Sequence, residues 1–135
     1  MQENQVSMKE QMIEKFCRDR YASHSGIEIV ELYPGYAKVK MEVKDYHLNA
    51  VDTVHGGALF TLGDFACAVA GNCGETTSVA IEANISYLKP TLSGTLFAEA
   101  KEILRSKSLI GFEVAITNEK GEQVARFYSR TFIRR

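Results

Sequence analysis

Apolar and polar positions alternate with a period of two in several stretches of the chain. Ala37, Val39, Met41 and Val43 point one way while Lys38, Lys40 and Glu42 point the other, the pattern of a half-buried strand. A preceding strand joins it through Tyr33-Pro34-Gly35. Further on, Ile81, Ala83, Ile85 and Tyr87 alternate with Glu82, Asn84 and Ser86. A second run, Thr95 to Leu104, ends at the basic turn Arg105-Ser106-Lys107-Ser108. Ile110, Phe112, Val114 and Ile116 form the apolar face of a third, and Gln123 to Ile133 is the last. Between these two, Asn118-Glu119-Lys120-Gly121 reads as a hairpin turn.

Two segments follow helical spacing instead. Met8, Met12, Ile13, Phe16 and Cys17 predict an amphipathic helix over about residues 8–21, opened by the capping box Ser7-Met8-Lys9-Glu10. Its polar face (Lys9, Glu14, Lys15, Arg18, Asp19) reads as solvated. Residues 55–71 lack any broad polar stripe, and a helix apolar nearly all round is either buried or in a membrane. Four glycines and a central carboxylate make this segment a poor membrane span. It reads as a helix over about 56–71 sunk into a core. The order is helix, two strands, buried helix, four strands. This predicts an α+β domain of antiparallel hairpins, the last three strands a meander, with the buried helix on the concave face of a curved sheet.

Composition bounds the rest. The chain has 135 residues, enough for one domain, and its 45% hydrophobic and 24% charged content fits a packed core. A net charge of -1 argues against nucleic acid as the main partner. Residues 1–100 hold 8 Lys/Arg against 13 Asp/Glu, whereas residues 101–135 hold 8 against 4. The last part of the chain therefore suits a modest anionic ligand. The polar opening and three cysteines without a CxxC pair predict a reduced, cytoplasmic protein.

Asp64 is the leading chemical candidate. A carboxylate among Leu62, Phe65, Ala66 and Ala68 is costly to bury unless it is paired or used. The alternative is that it projects from an exposed edge of the helix or bonds to backbone. His55-Gly56-Gly57 opens the same helix, where free N–H groups can hold an oxyanion; structurally, the glycines would only form a turn and His55 a cap. Eight residues, about 12 Å of helix axis, separate Gly56 from Asp64. A nucleophile and an oxyanion donor must both lie about 3 Å from one carbonyl. One helix cannot easily supply both, so if both act, the site lies between two subunits. Cys67 reads as packing, because burial raises a thiol's pKa and no histidine base is near in sequence. His24, His47 and His55 lack metal-ligand spacing, so neither a metal nor another cofactor is expected. Asn49 is either a turn residue or a brace for the helix-start loop. Arg105 and Lys107 read as solvated charges, or as contacts for a phosphate-bearing ligand. Phe60, Phe65 and Tyr87 read as core or as the lining of an acyl pocket.

Asn49, His55-Gly56-Gly57 and Asp64, on a helix reading His-Gly-Gly-Ala-Leu-Phe-Thr-Leu-Gly-Asp, resemble the hotdog-fold acyl-CoA thioesterases, in particular the PaaI-like branch of phenylacetic acid degradation. Asn84-Ile85-Ser86-Tyr87-Leu88-Lys89-Pro90 and Ser93-Gly94 also match, and the resemblance covers roughly residues 25–135. It implies a hotdog fold, a curved antiparallel sheet wrapped around the central helix, in homodimers that often pair into tetramers. It further implies acyl-CoA as substrate, with no nucleic-acid or membrane partner. Asp64 would attack the thioester or activate water, the Gly56 N–H would polarise its carbonyl, and Asn49 and His55 would support that loop. Gly57, Phe60, Asn84, Arg105 and Lys107 would contact substrate. Some relatives carry a serine or threonine on the strand after the helix; Ala80 stands at that position here, with Thr77 and Ser78 nearby. Two rivals remain: an enoyl-thioester hydratase using Asp52 and His55, and a non-catalytic acyl-CoA-binding module.

Overall fold

A computed structural model of the chain describes residues 2–74 and 76–134. The alternating stretches form β1 (Ile27–Tyr33), β2 (Tyr36–Glu42), β3 (Thr77–Tyr87), β4 (Thr95–Arg105), β5 (Leu109–Thr117) and β6 (Gln123–Arg134). The helices are α1 (Gln2–Phe16), α2 (Arg20–His24) and α3 (Gly56–Gly71). The strands build one antiparallel sheet in the order β1-β2-β4-β5-β6-β3. The meander β4-β5-β6 is as expected. β3 does not join β4 but crosses to the far side and pairs with β6, so β1 and β3 are the two edges.

Burial follows the alternation. Ala37, Val39 and Met41 of β2, Leu96, Ala98 and Ala100 of β4, and Ile110, Phe112, Val114 and Ile116 of β5 are fully buried on the face that holds α3. From the helix side come Leu59, Leu62, Phe65, Ala66, Cys67, Val69 and Ala70. Close approach of helix and sheet depends on Gly63, where an added Cβ would lie 2.7 Å from Cγ of Phe127. This is the hotdog arrangement, with the sheet wrapped on the central helix.

Three local expectations change. The N-terminal helix is two pieces: α1 starts ahead of Ser7, so the capping box does not form the helix start, and the chain turns at residues 17–19. A new cap causes the break, since the Asp19 carboxylate accepts the Ala22 N–H at 3.0 Å and begins α2. The β3 alternation also shifts. The pairing with β6 slips between Ala80 and Glu82, bulging Ile81 outward to 59% exposure and leaving Ala83 and Ile85 half-buried. Finally, α3 is not closed all round: Gly57 is exposed, and Phe60, Thr61, Asp64 and Ala68 are half-buried along the same stripe.

Candidate active site

The loop entering α3 is tied down by main-chain and side-chain bonds. Asn49 Oδ1 accepts the N–H groups of Val51 (3.0 Å) and Thr53 (3.1 Å), and its Nδ2 donates to Thr53 Oγ1 at 2.9 Å. Asp52 takes φ +60° inside that turn, a conformation that aspartate tolerates better than most residues. A Leu48–Val54 bridge and a 2.7 Å bond from the His55 N–H to the His47 carbonyl then deliver the chain to the helix start. His47 itself is 3% exposed. Its Nδ1 accepts the Lys44 N–H at 2.9 Å, so Nε2 carries the proton donated to the Ser25 carbonyl at 2.8 Å. This ring braces the loop against the chain between α2 and β1, a role the sequence did not reveal because Ser25 is 22 residues away.

His55 is the N-cap of α3, its Nδ1 accepting the Gly57 N–H at 2.8 Å. Its carbonyl accepts the N–H groups of Ala58 (2.9 Å) and Leu59 (3.2 Å). The Gly56 N–H is thereby left without an acceptor among the described residues, an open donor at the positive end of a helix. Gly56 borders a cavity of about 400 Å³ that is also lined by Asn49, Thr53, Leu59, Tyr87 and Thr91, among others. Tyr87 closes over it: a Cβ added to Gly56 would lie 2.8 Å from the phenol oxygen.

Asp64 lies in a different cavity, of about 210 Å³, with Cys67, Ala68, Asn72, Ser78, Val79, Ala80 and Thr131. No described residue donates a hydrogen bond to its carboxylate. Burial pushes its pKa above the ordinary aspartate value, and the negative charge of Asp19 adds to the rise. Such a group is a stronger base than an exposed carboxylate once ionised. Burial and the Asp64 carboxylate push the Cys67 thiol far up, in keeping with packing rather than nucleophilic chemistry. Ser78 Oγ is engaged with the Gly71 carbonyl at 3.1 Å, and Asn72 brackets the Ser78 backbone, so these polar groups fasten the helix end to β3.

The remaining candidates are dispersed. Phe60 packs edge-on against Phe127 at 5.0 Å between ring centres, and Phe65 meets Phe16 of α1 at 5.9 Å. Asn84 stands opposite Tyr128 and borders a separate cavity of about 320 Å³ with Glu82, Tyr128 and Arg130. Arg105 is held by Glu102 through two bonds of 3.1 and 2.8 Å at an exposed turn that Lys107 shares. No hydrogen bond joins Asp52 to His55. Among the described residues there is no cluster suited to a metal ion, and no helix long and apolar enough to cross a membrane.

Residues 52–125 match the Thioesterase superfamily. The chain is 34% identical to the acyl-coenzyme A thioesterase PaaI of Escherichia coli over 84% of its own length and 81% of that protein. It is 31% identical to human acyl-coenzyme A thioesterase 13, with 69% of each chain covered. Among solved structures, E. coli PaaI superposes with a TM-score of 0.83 at 30% identity, over 93% of this chain and 95% of that one. The TT0310 protein of Thermus thermophilus gives 0.79 at 32%, over 84% and 96%. The wrapped sheet and these relatives agree, and the chain is a PaaI-like hotdog member of the thioesterase superfamily, a thioester hydrolase.

Proposed function

We propose that the protein hydrolyses acyl-CoA to a free acid and coenzyme A at composite sites of a homodimer. Each site pairs Asp64 of one protomer with Gly56 of the partner subunit. The carrying observation is that Gly56, whose N–H no described residue accepts, and Asp64, to whose carboxylate no described residue donates, border two separate cavities. The β3 edge runs between them: Val79 and Ala80 border the Asp64 cavity, and Tyr87 borders the Gly56 cavity. Two such edges related by a two-fold axis run antiparallel, which brings the first end of one strand beside the last end of the other. Exposed Val79 (45%) and Ile81 (59%) supply apolar surface for that pairing, in a strand edge that otherwise invites unwanted association.

In this site Asp64 takes a proton from the water that attacks the thioester carbon, or attacks that carbon itself to form a mixed anhydride that water then cleaves to release the free acid and restore the carboxylate. The resulting oxyanion receives the Gly56 N–H, the C–S bond breaks, and the thiolate leaves and is protonated. Asn49 and His55 hold the amide in place. Gly57 and Phe60, on the open stripe of α3, contact the acyl group, while Arg105 and Lys107 meet the phosphates of the carrier and Asn84 its outer part. The names of the E. coli and human relatives support coenzyme A as the carrier.

A mixing experiment tests the two-chain site. Asp64→Ala lacks the carboxylate. Gly56→Pro lacks the amide donor at a helix position proline tolerates, and Gly56→Ala controls for its added carbon. Each single variant should release little thiol from a panel of phenylacetyl, benzoyl, hexanoyl, decanoyl and palmitoyl thioesters. Unfolded together and refolded as mixed dimers, they should recover about a quarter of wild-type activity, since half the dimers then hold one intact site of two. No recovery from well-folded mixed dimers would refute the composite site.

A further inference from the structure

We propose that the Tyr87 phenol is a second hydrogen-bond donor to the reacting carbonyl, beside the Gly56 N–H; this rests on the thioesterase reading above. Tyr87 ends β3, and its ring lies across Gly56, thirty-one residues earlier in the chain. The ring covers the glycine closely: an added Cβ would meet Oη at 2.8 Å and Cζ at 2.9 Å. The phenol and the open amide border the same cavity. A carbonyl oxygen arriving at the Gly56 N–H therefore comes within reach of the hydroxyl.

The hydroxyl is also available. Its hydrogen rests on the Gly56 carbonyl at 3.3 Å, the long end for an O–H···O bond, in an exposed setting. Exchanging that weak contact for a developing oxyanion is favourable, because bonds to a charged acceptor are shorter and stronger. Of the other side chains bordering the cavity, Asn49 Nδ2 is committed to Thr53 and the Lys89 ammonium to Glu122. The Thr91 hydroxyl is buried without a partner among the described residues, but the atoms nearest a Cβ added to Gly56 all belong to Tyr87. Two donors on one oxygen is the arrangement that stabilises a tetrahedral intermediate, since both act most strongly on the charge that forms at the transition state.

Tyr87→Phe isolates the hydroxyl, because it keeps the ring over Gly56. The expected result is a fall in kcat of about tenfold or more with KM within about twofold. A second readout follows the carbonyl directly. Asp64→Asn holds substrate unreacted, and in that variant the infrared C=O band of a bound acyl-CoA should lie at lower frequency than in the double variant Asp64→Asn with Tyr87→Phe. Unchanged kcat together with an unshifted band would overturn the second donor while leaving the thioesterase reading intact. If Asp64→Asn itself turned over like wild type, the thioesterase site would fail instead, whatever Tyr87→Phe did.

Discussion

At the Gly56 end of α3, bonds from His47, Asn49 and His55 fix the loop and leave one amide open. Around Asp64 the walls are Cys67, Ala68, Val79 and Ala80 together with Asn72, Ser78 and Thr131, whose polar groups bond to backbone carbonyls, and no described residue donates to the carboxylate. The contrast follows from what each end has to do. An oxyanion donor works only if it is held in place before the charge forms, which takes a network of polar bonds. A carboxylate base works better when water is kept away and its affinity for a proton rises. A single pocket cannot be both rich and poor in donors, and the composite site proposed above would meet both demands by separating the groups along a helix and reuniting them across a two-fold axis.

The sharpest break in that contrast is Asp64→Asn. It should lower turnover by about 10²- to 10⁴-fold in a thiol-release assay. Removing a half-buried charge should leave the melting temperature unchanged or higher at neutral pH. Turnover within a few-fold of wild type would make the Asp64 end structural only. Asn49→Ala attacks the opposite end and should behave differently. Losing its three side-chain bonds should cost about 1–3 kcal/mol in chemical denaturation and about tenfold in turnover, both effects arising from a loosened loop. A full loss of activity with unchanged stability would point to direct contact with substrate.

The smallest effect is on pH. The Asp64 value is raised, so the acid limb of kcat/KM should sit above the ordinary aspartate range, with activity falling as pH drops through the raised value. For stability the sign is opposite. The folded chain holds this proton more tightly than the unfolded one, so ionising Asp64 costs stability as pH rises through the window between the ordinary and raised values. In Asp64→Asn that slope should disappear from a series of melting curves. An acid limb at the ordinary aspartate value would show that burial does not tune the group.

Much of this was legible in local pattern. The period-two runs of β2 and β5 bury the residues they should, and Asn118 closes the predicted turn by accepting the N–H groups of Lys120 and Glu122. His55-Gly56-Gly57 and Asp64 were likewise visible, because a helix start and a mid-helix carboxylate are local facts. Features that depend on distant partners were not. The bulge at Ile81 reflects pairing with β6, the burial of His47 depends on Ser25, and the ring over Gly56 belongs to a strand that crosses the whole sheet. The break between α1 and α2 lay closer to hand: Asp19 looked like one more solvated charge, although its short carboxylate competes for backbone N–H groups and starts a new helix.

Gly63 also bears on how this enzyme can diversify. With the helix backbone pressed on Phe127, even one methyl at that position forces a shift, at a cost of about 1–3 kcal/mol. The sheet-facing side of α3 is thus nearly closed to mutation, and the helix can neither rotate nor rise to reshape its surroundings. Under the proposed function, variation in substrate preference would instead accumulate on the open stripe, at half-buried Thr61 and Ala68, rather than at Phe60, whose ring packs on Phe127. A lineage of such proteins would keep one rigid catalytic frame and explore new acids by exchanging a few residues along a single open seam.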